Sequence, residues 1–346
     1  MPCGVLRLRH VASSRCTDGR SSPGAPSSPA SPKWAGGHAG PHSRDDDALM
    51  PQPRELPPEL RDRAFAVADA VGRGILADRL RRTDLAAPFH GVRRPAQQAG
   101  GYSDCIAYAT RMPANHVFSH VTAARLLGIP LPARLSHDTR VHVTAVDGRA
   151  PRGIRVAGYA TRRETLVERV SGGLRVTSAL RTWTDLASQL SVDELVEAGD
   201  RLIGQPRSLT THAAMSEAVG ASAGLRGYRT LVRAFELVRP GSRSPRETRA
   251  RLALVRAGLP EPELNAEIVL RRRTVHGDLL YRRWRVLIEY EGDQHRADPW
   301  QWAHDLERYN DLAEAGWLVI RASKTMTDGD LAARAARALR SRGWPE

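Results

Sequence analysis

The sequence is poor in lysine and cysteine and has no long apolar run. Lys33 and Lys324 are the only lysines among 52 basic residues, so a mechanism that needs a lysine has few candidates. The three cysteines have no CxxC spacing, which argues against structural zinc and suits a reducing cytoplasm. No segment approaches the roughly 18 apolar residues of a membrane helix, and the start lacks the apolar core of a signal peptide. We therefore expect a cytoplasmic protein with no membrane partner.

Positive charge is abundant. The 346 residues carry a formal net charge of +14, and most of the excess lies before residue 242. A charge of this sign and size favours a polyanionic partner, and thus nucleic acid, in particular DNA. A GC-rich genome would also produce the preference for arginine over lysine. The net charge by itself indicates neither fold nor chemistry. The length predicts two or three domains.

Residues 1–55 are rich in Pro, Ser, Gly and Ala and show no periodic apolar pattern, as in "SSPGAPSSPASPKWAGGHAG". Such a composition cannot bury enough apolar surface to offset the entropy of an ordered chain. The sequence therefore predicts a disordered segment here.

Residues 56–112 contain the parts of a winged helix-turn-helix. Apolar spacing predicts a helix from Leu60 to Val71, "VGRG" a turn, "ILADRLRR" a second short helix and "LAAPFHGVRRP" a wing strand. The arginines that would face DNA in such a domain are Arg79, Arg81, Arg82, Arg93 and Arg94. An ordinary small helical domain with a solvated basic face is the alternative.

Residues 113–240 predict an α+β domain. "VFSHVTAARLLGI" is typical of a helix with Ser119 or Thr122 near its start, and "RVHVTAV" and "GIRVAGY" alternate like strands. Further on, Ser191 and Glu194 have capping-box spacing, and Gly204 ends that helix.

Residues 241–346 give the clearest pattern. Ser244 is a suitable N-cap, Pro245 suits the first helical position and Gly258 ends the helix. The later predicted elements are strands at 264–270, 277–282 and 284–291, an amphipathic helix at 299–315 with a buried stripe of Trp302, Leu306, Tyr309 and Leu312, the strand "WLVIRA" and a helix at 328–341. The sequence thus predicts an α/β fold class with the order αβββαβα.

The third predicted strand carries acids inside an apolar run. Alternation along "RVLIEYE" places Leu287, Glu289 and Glu291 on one face. Asp278, on the neighbouring antiparallel strand, can reach the same end. Clustered carboxylates repel one another unless a cation neutralises them, and hard oxygen ligands suit Mg²⁺ or Mn²⁺. Such an ion activates water and stabilises the charge that develops during phosphodiester hydrolysis, which is nuclease chemistry.

Each candidate residue also has a purely structural interpretation. Glu247 can close a capping box with Ser244 instead of pointing into a metal site. Asp278 and Glu291 can lie in turns at the strand ends. Glu289 is the hardest to explain this way, because buried carboxylates are seldom unpaired.

Three further side chains flank the same region. His295 is either a surface loop residue or, within reach of the strand end, a group that binds water, phosphate or metal. Asp305 and Arg308, on the following helix, are either a surface pair at i, i+3 or supporting residues that position the site.

The blocks "SPRETRARLALVRAGLPEPELN", "GDLLYRRWRVLIEYEGDQHR" and "WQWAHDLERYNDLAEAGWLVIRAS" occur in order over about residues 243–325. Together they resemble a bacterial domain-of-unknown-function family related to very-short-patch-repair endonucleases, within the PD-(D/E)XK superfamily. The resemblance implies a restriction-endonuclease-like core and Mg²⁺-dependent or Mn²⁺-dependent cleavage of nucleic acid.

The resemblance also implies roles for individual residues. Asp278 matches the motif aspartate, Glu289 the second acidic metal ligand, and Glu247 an accessory acid from the first helix. Glu291 stands where the superfamily has its lysine, a departure that very-short-patch-repair-like relatives share. Gln294 or His295 would then substitute for the lysine in catalysis.

The preceding blocks "VFSHVTAARLLGIPLP" and "LRVTSALRTWTDLA" resemble the sensor part of AbiEi-type antitoxins. This second resemblance implies an N-terminal winged helix and a cognate toxin as partner. Two hypotheses therefore stand side by side. One is a metal-dependent endonuclease, and the other is a catalytically inactive DNA-binding regulator or antitoxin that retains the nuclease fold.

Overall fold

The computed structural model describes residues 55–163, 167–204, 206–290 and 299–345, which belong to one compact unit. They form a mixed α/β structure with three separate sheets, which confirms the predicted class. Among these residues, no helix combines the length and apolar character that crossing a membrane requires. The predicted disordered segment 1–55 lies, except for Glu55, outside the described residues. The division of the remainder into three domains stays a prediction.

The first sheet is small and antiparallel, with the strand order β1-β3-β2. Its elements in chain order are α1 (Pro58–Arg61), β1 (Phe65–Ala66), α2 (Val67–Gly72), β2 (Leu85–Ala86) and β3 (Val92–Pro95). The helix predicted from Leu60 to Val71 is therefore interrupted, because Phe65 and Ala66 pair with β3 and Phe65 is buried in a small apolar cluster. The predicted second helix is reduced to the 3₁₀ turn Arg79–Arg81.

The second sheet has five strands in the order β6-β5-β4-β8-β7. Its elements and flanking helices are α3 (Gly101–Ala109), β4 (His116–Phe118), α4 (His120–Leu127), α5 (Ala133–Ser136), β5 (Val141–Val146), β6 (Val156–Thr161), β7 (Val167–Val170) and β8 (Leu174–Thr177). Both predicted strands, β5 and β6, are confirmed, and they pair in parallel. The connection between β5 and β6 packs closely against β6: a Cβ on Gly158 would lie 1.8 Å from the carbonyl oxygen of Pro151.

A group of helices follows this sheet in the chain and packs against α4. They are α6 (Ala179–Leu186), α7 (Val192–Ile203), α8 (His212–Ala221) and α9 (Tyr228–Leu237). They surround a core in which Trp183 is fully buried and donates its indole N–H to the carbonyl oxygen of Leu195 at 2.9 Å. The predicted capping box of α7 is confirmed, since Ser191 and Glu194 bond reciprocally to each other's main-chain N–H groups.

The third sheet belongs to the C-terminal part, with the strand order β12-β11-β10-β9. The elements are α10 (Pro245–Arg256), β9 (Glu263–Val269), β10 (Thr274–Tyr281), β11 (Val286–Tyr290), α11 (Pro299–Glu314), β12 (Leu318–Ala322) and α12 (Asp328–Ser341). This is the predicted order αβββαβα. The crossover through α11 makes β11 and β12 parallel neighbours, whereas β9, β10 and β11 are antiparallel.

The packed face of α11 differs from the predicted stripe. Leu312 is buried, but Leu306 is 48% exposed, and the side chain of Trp302 lies outside the described part of the chain. The helix turns Arg308 towards the sheet, where it pairs with Glu289. The contact face therefore runs through Arg308, Tyr309 and Leu312, and Leu306 falls beside it.

A buried ion pair joins α7 to α10. The Arg251 side chain is 1% exposed, and its Nη2 lies 3.0 Å from Oδ2 of Asp200, which is equally buried. Asp200 also accepts hydrogen bonds from the Thr248 hydroxyl and the main-chain N–H of Arg239, both at 2.8 Å. Because both charges are paired and hydrogen-bonded, their burial is tolerated, and the pair fixes how the two helices meet.

Candidate functional site

The pairing of β10 with β11 places the two predicted metal ligands on neighbouring strands, at the same end of the third sheet. Leu279 pairs with Ile288 and Leu280 with Leu287, and Asp278 and Glu289 lie just beyond these pairs. Gly277 projects to the side of Leu287, so alternation along β10 does not put the next residue, Asp278, on that side of the sheet. The main-chain N–H of Tyr290 donates to Oδ2 of Asp278 at 2.9 Å, which holds the carboxylate at the strand end.

Gly277, immediately before Asp278, lets the sheet pack tightly at this point. A Cβ there would lie 2.3 Å from Cδ1 of Leu287. Leu287 packs into the apolar cluster that also contains Leu280 and Leu312. The glycine thus lets the Leu287 side chain pack directly against the β10 backbone next to Asp278.

Glu289 is buried, at 6% exposure, and its two carboxylate oxygens have charged and polar partners. Nη1 of Arg308 donates to Oε2 at 2.8 Å, Nη2 donates to Oε1, and the Tyr309 hydroxyl donates to Oε2 at 3.0 Å. Burial, followed by the nearby Glu289 charge, raises the pKa of Tyr309 to about 12. Arg308 therefore supports the site through Glu289. Tyr309, predicted only as an apolar stripe residue, is a second donor.

Glu247 is also buried and fully hydrogen-bonded. Its Oε2 accepts from the main-chain N–H of Arg243 at 2.8 Å and from Nδ2 of Asn265 at 2.6 Å, and its Oε1 accepts from the Ser244 hydroxyl at 2.9 Å. The Ser244 hydroxyl caps α10 as predicted. Nothing in the sequence indicated Asn265, which reaches Glu247 from β9 in a left-handed conformation with φ 47°.

The three acids share one region of negative potential. Burial raises the pKa of Asp278 to about 6; the N–H of Tyr290 opposes this increase, and the negative charges of Glu247 and Glu289 add to it. Arg308 offsets only part of this repulsion. A carboxyl group with such a pKa is mostly ionised at neutral pH and protonated in mild acid, and an approaching cation favours the ionised form.

The remaining predicted residues of this site divide into two groups. Asp305 is half-buried on α11. Glu291, Gln294 and His295 lie outside the described residues. Within the described ranges, no set of three His, Cys, Asp or Glu side chains has an arrangement suited to a metal ion.

The five predicted DNA-facing arginines have different environments. Arg81 and Arg82 are exposed, and Arg79 forms a two-bond pair with Asp84 at 2.7 and 3.0 Å. Nε of Arg93 donates to the carbonyl oxygen of Leu80 at 2.6 Å.

Arg94 departs from the prediction because its side chain is only 8% exposed and lies beside Asp104. Alternation along β3 turns this arginine to the interior side of the strand. It therefore cannot form part of an exposed basic surface.

Comparison with known proteins gives distant relatives. No family model matches the chain, and no solved structure matches it. Two uncharacterized proteins from two strains of Mycobacterium tuberculosis are each 33% identical to it over 187 residues. The match covers 50% of this chain and 64% of each relative, so the chain spans less than two thirds of their length.

Proposed function

We propose that the protein binds DNA in the cytoplasm and that residues 241–346 form a restriction-endonuclease-like domain that hydrolyses phosphodiester bonds with Mg²⁺ or Mn²⁺. The observation that carries the proposal is the proximity of three carboxylates, since the charges of Glu247 and Glu289 are both close enough to raise the pKa of Asp278. The order αβββαβα around these acids and the resemblance to very-short-patch-repair-related proteins support the same assignment.

The described residues fit a divalent cation in part. Asp278 lies in a negative region that a cation would relieve. Against this, Glu289 is held on both oxygens by Arg308, and Glu247 by Asn265 and the start of α10. Asp278 is therefore the residue that would hold the ion, with Glu247 and Glu289 as neighbours. When bound, such an ion supplies water activation and stabilises charge on the phosphodiester.

The side chains around Asp278 have roles that follow from their contacts. Arg308 and Tyr309 fix the Glu289 carboxylate against the sheet, and thereby fix the negative potential that Asp278 experiences. The N–H of Tyr290 orients Oδ2 of Asp278. With its pKa of about 6, Asp278 is ionised at neutral pH and becomes protonated in mild acid, so we expect cation binding to weaken below pH 6.

A specific observation also favours an inactive DNA-binding regulator. The guanidinium of Arg308 neutralises Glu289 as a metal ion would, and Glu291 occupies the position of the superfamily's lysine. The excess positive charge before residue 242 would place DNA binding in the part of the chain that precedes the nuclease-like residues 241–346. In this second proposal residues 56–112 are a winged-helix-like DNA-binding domain, residues 113–240 an AbiEi-like domain, and the partner a cognate toxin.

Cleavage assays separate the two proposals. DNA and RNA substrates are incubated with the full chain and Mg²⁺ or Mn²⁺, alongside Asp278→Ala and Glu289→Ala. We expect both substitutions to lower the cleavage rate by about 100-fold or more, because each removes negative charge from the site. Titration of Mn²⁺ in a calorimeter provides a second readout that is independent of turnover.

Glu314→Ala is the matched control, since Glu314 is exposed on α11; this variant should cleave like the unmodified chain. Binding of DNA without cleavage, unaffected by either substitution, would contradict the enzyme proposal and support the regulator.

A further inference from the structure

A cavity of about 700 Å³ lies between elements of the first two sheets, and Asp278 is not among the residues that line it. It is lined by β3, the first turn of α3, α4 and the segment 136–141. Its volume falls within the range of about 300–1,000 Å³ that is usual for small-molecule sites. Neither the nuclease proposal nor the regulator proposal uses this cavity.

Four arginines line the cavity: Arg94, Arg125, Arg140 and Arg155. The Nε atoms of Arg94 and Arg125 are buried and lack a hydrogen-bond partner in the part of the chain that the structure describes. Nη1 of Arg94 lies 2.9 Å from Oδ1 of Asp104, but the two groups are not aligned for a hydrogen bond. Buried donors are almost always paired, so these two guanidinium groups, which line the cavity, keep unused hydrogen-bonding capacity beside it.

The carboxylates of the lining are already neutralised. Asp104 is shared by Arg94 and Arg155, and Asp138 pairs with Arg140. Arg125, by contrast, donates only to two main-chain carbonyl groups and has no carboxylate partner among the described residues. The cavity therefore has a net positive charge.

The N-terminus of α3 adds further donors. Gly100 occupies the N-cap position with φ 119° and provides no side-chain cap, and Gly100, Gly101 and Tyr102 all line the cavity. The first N–H groups of a helix have no acceptor within the helix, and the helix dipole favours an anion at this end. Two unrelated features, the buried arginines and the helix start, thus converge on one space.

We propose that this cavity binds a small organic phosphate, with the phosphoryl group between Arg94, Arg125 and the first turn of α3. A guanidinium matches the oxygens of a phosphate with two parallel hydrogen bonds. Leu126 and Val141 provide apolar wall for the organic part of the ligand. A phosphate monoester therefore binds more tightly than inorganic phosphate. The assignment is independent of whether the C-terminal part cleaves nucleic acid.

Calorimetric titration of the full chain with AMP tests the assignment, and inorganic phosphate and citrate are titrated in parallel. We expect saturable AMP binding, weaker phosphate binding, and affinity for AMP reduced at least tenfold in both Arg125→Gln and Gly101→Asp. A Cβ on Gly101 meets no atom within 4 Å, and an acidic residue suits a helix start. Gly101→Asp therefore keeps the fold while its carboxylate occupies the anion position.

Gly101→Ala and Arg152→Gln are the matched controls, because the first adds no charge and Arg152 is exposed outside the cavity. Both should bind AMP within threefold of the unmodified chain. Absence of AMP and phosphate binding at millimolar concentration overturns the proposal. So does AMP binding that Gly101→Asp and Arg125→Gln leave unchanged, and citrate binding tighter than AMP overturns the choice of phosphate.

Discussion

Asp278 and Glu289 lie on neighbouring strands of one sheet, yet their surroundings differ. Glu289 has a two-bond partner in Arg308 and a third donor in Tyr309. Asp278 accepts the N–H of Tyr290 and is half-buried near two other acids. Glu289 therefore helps to hold α11 against the sheet, whereas the fold disfavours the ionised form of Asp278.

Replacement of Asp278 by asparagine should therefore stabilise the protein near neutral pH in the absence of divalent cations. The folded-state pKa of about 6 exceeds the ordinary 3.8, so the contribution of Asp278 to stability is full below pH 4 and declines as the pH rises to 6. We expect Asp278→Asn to raise the free energy of unfolding by about 1–2 kcal/mol at pH 7.5, after allowance for partial exposure. The difference should vanish near pH 4, as measured by urea denaturation.

Asp62→Asn, at an exposed position, is the control and should change stability by less than about 0.5 kcal/mol. A variant at position 278 that is less stable than the unmodified chain at pH 7.5 would mean that the carboxylate is not repelled by its neighbours.

At the scale of elements, local sequence signals locate the helix ends. Ser191, Ser244 and Thr327 each accept a hydrogen bond from a main-chain N–H three residues on, and so begin α7, α10 and α12. Gly128 and Gly258 end α4 and α10 with positive φ. These caps depend on neighbours in sequence, which is why the pattern alone predicts those of Ser191, Ser244 and Gly258.

Loss of the α7 cap should have a measurable but modest effect. The Ser191 hydroxyl accepts from the N–H of Glu194 at 3.4 Å, and the Glu194 carboxylate accepts from the N–H of Ser191 at 2.8 Å. We expect Ser191→Ala to lower the free energy of unfolding by about 1 kcal/mol. Ser208→Ala, in an exposed loop, should have no detectable effect in the same denaturation series; equal losses in both variants would argue against the capping box.

For the whole molecule, the Asp200–Arg251 pair connects α7, in the group of helices that follows the second sheet, with α10 of the C-terminal part. Arg251 also contacts Glu261 and the carbonyl oxygen of Leu237 at 3.1 and 2.9 Å. Burial raises the pKa of Asp200, although Arg251 and its hydrogen bonds oppose this increase. The hydrogen bonds and ion pairs of Asp200 and Arg251 thus offset the large free-energy cost of removing two charges from water.

Arg251→Met should destabilise the protein strongly, by about 3–5 kcal/mol at pH 7.5, because it leaves the Asp200 carboxylate buried without a countercharge. The loss should shrink as the pH falls, since protonation of Asp200 removes the unpaired charge. Urea denaturation at several pH values measures both effects.

The matched control is Arg249→Met, two residues away on α10, because Arg249 is 57% exposed in its pair with Glu197. Its cost should not exceed about 1 kcal/mol. A similar loss in both variants would show that the buried pair does not hold α7 and α10 together.

How much of the structure can be predicted from the sequence depends on how far apart along the chain the contacting residues are. The strands and helices of the C-terminal part follow from alternation and capping, and the order αβββαβα is confirmed. The predicted helix from Leu60 to Val71 is wrong because Phe65 pairs with β3, a strand that comes much later in the chain. Glu289 is predictable as a buried acid, but its partner Arg308 lies beyond a connection whose path the pattern does not specify.

By itself the sequence determined which segments form helices and strands in residues 241–346, and that acidic residues would enter an apolar strand, because period and capping act between near neighbours. Only the tertiary structure decided that Arg308 neutralises Glu289, that Asn265 holds Glu247, and that Arg94 turns inward to a positively charged cavity. Those outcomes depend on groups far apart in sequence, and a charge buried in a low-dielectric interior takes its partner from whatever the fold places beside it.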